Sequence, residues 1–147
     1  MIDPFALPNE ITVGARRRGN EYGWTPETFP TALARAAEIG YACQGGQFQF
    51  RIEDSICEMY WLQTVWCEKY PVETWSEFVH RSCNTTLNDF RRLLDAADFQ
   101  TEAASFEFLR PLLNSGWEPM ADLVFVAYFE PEVEVLLETQ HCGEGKA

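Results

Sequence analysis

The chain contains two histidines and five cysteines, and one close pairing of the two types stands out: His80 and Cys83 in the run HRSC. Three residues apart on a helix, they share a face, and a cysteine needs a neighbouring base to become a thiolate nucleophile. Their surroundings oppose this chemistry, because Phe78, Val79 and Ser82 set the turn against a core, where a buried thiol is inert. The cysteines at 43, 57, 67, 83 and 142 are odd in number and form no CxxC pair, so neither a disulfide framework nor a zinc knuckle is expected from Cys43, Cys57, Cys67 and either Cys83 or His80. No GxGxxG, GxxxxGK, HExxH or GxSxG run is present, and no cofactor is implied. The carboxylate pairs Glu53-Asp54 and Glu130 with Glu132 have the type for acid–base work, but both fall at expected turns, where acids are normally solvated. No catalytic or metal-binding residue is assigned.

The elements that would carry these groups follow from periodicity. Thr25-Pro26-Glu27 is a helix-start signal, and Phe29, Leu33, Ala36 and Ala37 then recur at helical spacing, with Gly40 as the stop. Phe48, Phe50 and Ile52 alternate with Gln47, Gln49 and Arg51, which predicts a half-buried strand. Gly45-Gly46 is expected to turn it back toward Tyr41 and Cys43. Residues 55–67 read as the next strand, with Ile56, Tyr60, Leu62, Thr64 and Trp66 on one face and Glu53-Asp54 as the preceding turn.

Three helices are expected after that strand. Pro71 opens one with Val72, Trp75, Phe78, Val79 and Ser82 inward. Asn84 or Thr85 caps a second with Leu87, Phe90, Leu94 and Ala97 inward, and Thr101 caps a third with Phe106, Leu109 and Leu113 inward, which Pro111 kinks and Gly116 ends. Residues 123–129 form a buried strand, and Val133, Val135 and Leu137 alternate with Glu132, Glu134 and Glu138 as a C-terminal hairpin beyond Glu130-Pro131. The first 22 or so residues, with Pro4, Pro8, Gly14, Gly19 and the triplet Arg16, Arg17 and Arg18, lack sustained periodicity. They are expected to be a loosely attached N-terminal arm in which residues 11–15 form at most a short strand. The result is a single α+β domain over residues 1–147, an antiparallel sheet with helices packed on one face. Its expected core includes Phe50, Leu94, Phe106, Leu109 and Phe125.

Charge and aromatic content bear on function. The 23 acids against 11 cations leave a net charge of −12, and a chain so acidic repels a phosphate backbone. Direct nucleic-acid binding is therefore not expected. Eleven acids and two cations fall from residue 95 onward, a bias that serves solubility or steers a basic partner. Aromatic residues make up 14% of the chain. Those in the tract Cys57-Glu58-Met59-Tyr60-Trp61-Leu62, with Trp66 beyond it, are too many for one strand face and call for a cover, either helices or a partner. The start MIDPFALPNE has no basic n-region or apolar h-region, and no run is long enough to span a membrane, so a cytoplasmic, reducing setting is expected.

GGQFQF followed by CEMYWLQ and then PVETWSEFV, in a short acidic chain without a catalytic signature, resembles the small immunity proteins encoded beside bacterial polymorphic or contact-delivered toxins. The resemblance implies a cytoplasmic protein that binds and blocks one toxin, a basic or nuclease-like protein partner. The partner-binding candidates are Tyr60, Trp61, Trp66, Glu130, Glu132 and Glu134. A phage-type inhibitor of a nucleic-acid-handling complex, or a small enzyme using Cys83 and His80, are the competing readings.

Overall fold

The computed structural model describes residues 3–132; the expected hairpin of Val133, Val135 and Leu137, with Glu134, lies outside the described residues. The elements are α1 (Asn9–Thr12), β1 (Ala15–Arg18), β2 (Glu21–Trp24), α2 (Phe29–Glu38), β3 (Ala42–Ile52), β4 (Ser55–Gln63), α3 (Trp75–Ala96), α4 (Phe99–Ala104), a 3-10 turn at Glu107–Leu109, α5 (Arg110–Asn114), a second 3-10 turn at Pro119–Asp122, and β5 (Leu123–Glu130). The strands make one antiparallel sheet in the order β1-β2-β5-β3-β4. The fold is α+β, as the sequence predicts. β5 is the last strand among the described residues, yet it lies in the middle of the sheet. Its run of Leu123, Val124, Phe125, Val126 and Ala127 is accordingly buried on both faces.

The helix-covered face is a cluster of rings. Phe48 of β3 and Phe125 of β5 lie 5.0 Å apart between ring centres. Phe29 of α2 meets Phe125 at 4.6 Å and Phe90 of α3 at 4.9 Å, while Phe99 of α4 meets Phe48 at 5.4 Å. Tilted and edge-on pairs of this kind each add about 0.5–1.5 kcal/mol beyond their burial. Ser82 ties α3 to the sheet through a polar bond in an apolar place, accepting from the Cys43 amide at 3.1 Å while donating to the Val79 carbonyl at 3.2 Å. Of the expected core residues, Phe50, Leu109 and Phe125 are fully buried, and Leu94 and Phe106 are partly buried against the same cluster.

Among the described residues no helix covers the other face, yet Gln49 and Arg51 of β3 are buried there together with Val124 and Val126. The sheet closes this face by coiling on itself. Arg51 Nη1 donates to the carbonyl of Arg16 in β1 at 2.9 Å, and its Nε donates to Gln49 Oε1 at 3.3 Å. Arg18 reaches from β1 to the carbonyls of Glu53 and Ser55, at 2.7 and 3.3 Å, at the β3–β4 turn. Arg51 thus ties β1 to β3, and Arg18 ties β1 to the start of β4. Removal from water holds the Arg51 pKa below the ordinary arginine value, with the nearby Glu21 charge acting the other way. The alternation of Gln47, Gln49 and Arg51 with phenylalanines therefore marks a strand with two buried faces, not a half-buried one.

Several expectations are corrected. Residues 9–24 are no loose arm: Ile11 and Trp24 are fully buried, Trp24 Nε1 donates to the Ile11 carbonyl at 2.9 Å, and β1 and β2 belong to the sheet. The lack of periodicity reflects elements of four residues each, too short to repeat a pattern. Gly45-Gly46 is not a turn, because β3 runs unbroken through both. Gly45 takes φ +139° at an irregularity in the pairing with β5, and a Cβ on Gly46 would lie 2.2 Å from the Val126 carbonyl oxygen. Close backbone approach explains these glycines.

The helices differ too. The expected first two are one, α3, whose buried stripe of Phe78, Ser82, Thr86 and Phe90 runs straight through Asn84-Thr85. It starts at a capping box: Thr74 Oγ1 accepts from the Glu77 amide at 3.1 Å, and Glu77 accepts from the Thr74 amide at 2.8 Å. Val72 is thereby left outside the helix. Asp98, not Thr101, caps α4 by accepting from the amides of Gln100 and Thr101. Pro111 sits in the first turn of α5, where its missing amide hydrogen costs nothing.

If Arg51 holds the coil closed, Arg51→Ala should lower stability in urea melts by about 2–4 kcal/mol, the range for losing a large buried side chain and its bonds. Amide exchange in β1 should quicken well beyond the change in α4 and α5.

Candidate partner-binding surface

β4 is an edge strand, and its far end leaves the ladder. Gln47 pairs with Gln63 while the adjacent Phe48 pairs with Met59, so Tyr60, Trp61 and Leu62 bulge out between the two pairs. Trp61 turns toward α4: its Nε1 donates to both Glu102 carboxylate oxygens at 3.1 and 3.2 Å, and its ring stacks on Phe106 at 6.1 Å. Tyr60 stands edge-on to Trp61 at 5.0 Å and is 66% exposed.

After the bulge, residues 64–73 have no regular secondary structure, yet named bonds fix their course. The Thr64 amide donates to the Gly46 carbonyl at 2.9 Å, the Cys67 amide to the Gln44 carbonyl at 2.8 Å, and the Val65 amide to Asp89 Oδ2 at 2.8 Å. Arg81 of α3 then binds the stretch at three points. It donates to the Glu73 carboxylate at 2.6 and 2.9 Å and to the Glu68 carbonyl at 2.7 Å, and its guanidinium lies 4.0 Å from the centre of the Tyr70 ring. The bidentate pair with Arg81 holds the Glu73 carboxyl down at about 2. Segment 60–72 thus presents Tyr60, Trp61, Val65, Trp66, Tyr70 and Val72 to solvent, with Val72 95% exposed.

The sequence-derived candidates divide between two places. Trp61 faces α4, with Tyr60 edge-on to it. Trp66 lies on the other side of the bulge, 6.0 Å from Tyr128 of β5. Glu130, two residues beyond Tyr128, shares its strand face and is half-buried; burial and the Glu68 charge hold its carboxyl above the usual range. Glu132 is exposed, and Glu134 lies outside the described residues. The expected single face of Ile56, Tyr60, Leu62, Thr64 and Trp66 is therefore broken at the bulge, whose three extra residues shift the alternation.

His80 and Cys83 share no hydrogen bond. His80 is exposed, with Nδ1 2.8 Å from the Ser76 carbonyl oxygen, whereas Cys83 is buried and contacts the Tyr41 carbonyl. Burial pushes the Cys83 thiol up to about 11 and raises those of Cys43, Cys57 and Cys67 as well. Such thiols are poor nucleophiles at neutral pH. Among the described residues no group of three or more His, Cys, Asp or Glu is placed to hold a metal ion, and no helix is long and apolar enough to cross a membrane.

Sequence reasoning missed Gln47, Gln63, Tyr128 and Arg81. Nothing in their local pattern separates them from ordinary surface or strand residues; only the Thr74-to-Glu77 spacing, a readable capping box, signals where the pinned segment ends. A depression of about 580 Å³ away from this segment is lined by Pro26, Leu94, Phe99, Glu118 and Met120. Most of its apolar lining already packs into the core. No protein-family model, curated protein or solved structure matches the chain.

Glu73 is ionised more readily in the folded than in the unfolded chain. Its contribution is therefore complete above the ordinary carboxylate value and is lost as pH falls from there toward about 2. Glu73→Gln should destabilise the protein at pH 7, and the deficit measured by urea melts should shrink steadily between pH 4.5 and 2.

Proposed function

We propose that the chain is an acidic binding protein that inhibits a protein partner, in the manner of an immunity protein neutralising a toxin, and that the partner docks on β4 and segment 60–72. The observation that carries this reading is the exposed series Tyr60, Trp61, Val65, Trp66, Tyr70 and Val72, held in place by Arg81, Asp89 and Glu102. Large exposed apolar patches mark interaction sites. Tyr and Trp are the usual anchors of such interfaces, and anchors fixed before binding lose less entropy on docking. The exposed acids Glu58 and Glu68 border the series, and the net charge of −12 favours a basic partner by steering its approach.

The test is affinity for the partner isolated from the source cells, measured by calorimetry on single variants. Trp61→Ala or Tyr70→Ala should weaken binding by roughly 30-fold or more, the effect of losing an anchor worth about 2 kcal/mol. Met120→Ser, in the other depression, should leave affinity within about twofold. Wild-type affinity in both anchor variants would rule the surface out.

A further inference from the structure

At the end of the coiled face, where β3 and β4 part at the bulge, Gln47, Gln63, Thr64, Trp66 and Tyr128 line a cleft of about 390 Å³. Trp66 and Tyr128 form two walls inclined at 57°. The carboxamides of Gln47 and Gln63 make no hydrogen bond among the described residues, so their oxygens are open acceptors. No acid lines the cleft itself, but acids of β2 and β4 act on its Tyr128 wall. Tyr128 donates a short hydrogen bond to Glu21 of β2. Burial and the Glu21 and Glu58 charges together hold the Tyr128 phenol protonated well above its ordinary range, and Glu130 of β5 feels Glu68. Arg51 is the cation that acts on Tyr128, and two of its three nitrogens bond to Arg16 and Gln49. Aromatic walls, amide oxygens and a surplus of carboxylates together select a cation with a flat face.

We propose that this cleft receives an arginine side chain of the partner, the guanidinium stacking on Trp66 and donating to the Gln47 and Gln63 amide oxygens. The inference rests on the binding-protein reading above and adds the chemistry of one contact. Arginine fits better than lysine because a planar guanidinium stacks on a ring and forks onto two acceptors, whereas an ammonium is a compact, strongly hydrated charge.

The probe is the peptide acetyl-Gly-Arg-Gly-amide, compared with its citrulline counterpart, which keeps the shape and loses the charge. In nuclear magnetic resonance titrations of the full chain, the arginine peptide should shift the Gln47, Gln63, Trp66 and Tyr128 signals saturably, with half-saturation on the order of millimolar for so small a ligand. The citrulline peptide should bind at least tenfold more weakly. Trp66→Ala and, as a milder change, Gln63→Ala should each weaken the arginine response by fivefold or more. Equal responses to the two peptides, no saturable shift at the cleft, or shifts confined to the depression around Glu118 would each overturn the proposal. Failure here with the anchor variants still impaired would leave the docking surface intact. Intact partner affinity in the anchor variants, with the peptide still selecting the cleft, would instead remove the docking surface alone.

Discussion

The guanidinium of Arg51 donates to the Arg16 carbonyl across two intervening strands, and the character of both sheet faces follows from where that bond pulls the chain. The helices cover one face, and among the described residues the other is closed from within. Closure from within places a cation and a carboxamide in a nearly dry space, which is unfavourable unless their polar atoms are bonded. Two of Arg51's three nitrogens, and the Gln49 oxygen, are bonded. The same coil brings Arg18 over the β3–β4 turn, while the adjacent Arg17 pairs with Asp3. An acidic protein thereby spends two of the three guanidinium groups in its densest cationic run on its own architecture.

Coiling also decides what remains open. With β1 folded inward, β4 is the sheet edge that borders segment 60–72. An edge strand is normally blunted to prevent unwanted pairing, and here the bulge at Tyr60, Trp61 and Leu62 serves that purpose while turning two rings outward. The next ten residues follow an irregular course at fixed points set by Arg81 and Asp89. Their rings are exposed without being loose, the combination expected of a surface prepared for a partner. The Trp66 cleft opens where the coil ends, with the Glu21 carboxylate bonded to its Tyr128 wall.

Much of the fold was legible because it rests on local signals: the alternation of Phe48, Phe50 and Ile52, the apolar run of β5, and the Glu53-Asp54 turn where Glu53 takes φ +52°. What was not legible depends on residues distant in sequence. Gln49 and Arg51 look solvent-facing until β1 is known to cross them. Asn84-Thr85 looks like a helix boundary unless the buried stripe from Phe78 to Phe90 is followed through it. Gly45-Gly46 looks like a turn until the Val126 carbonyl is found against it. For the binding surface, the sequence shows an excess of rings in 57–66 but not the bulge that divides them, and it carries no sign that Tyr128 and Trp66 meet.

Amide hydrogen exchange of the protein, free and saturated with its partner, tests the central claim most directly, because it maps contact without altering a residue. Protection concentrated in 58–72, with the end of β5 around Tyr128 and Glu130 also slowed, is the predicted footprint. Protection centred on α2, the end of α3 and the turn at Pro119–Asp122, with 58–72 exchanging as in the free protein, would contradict the account.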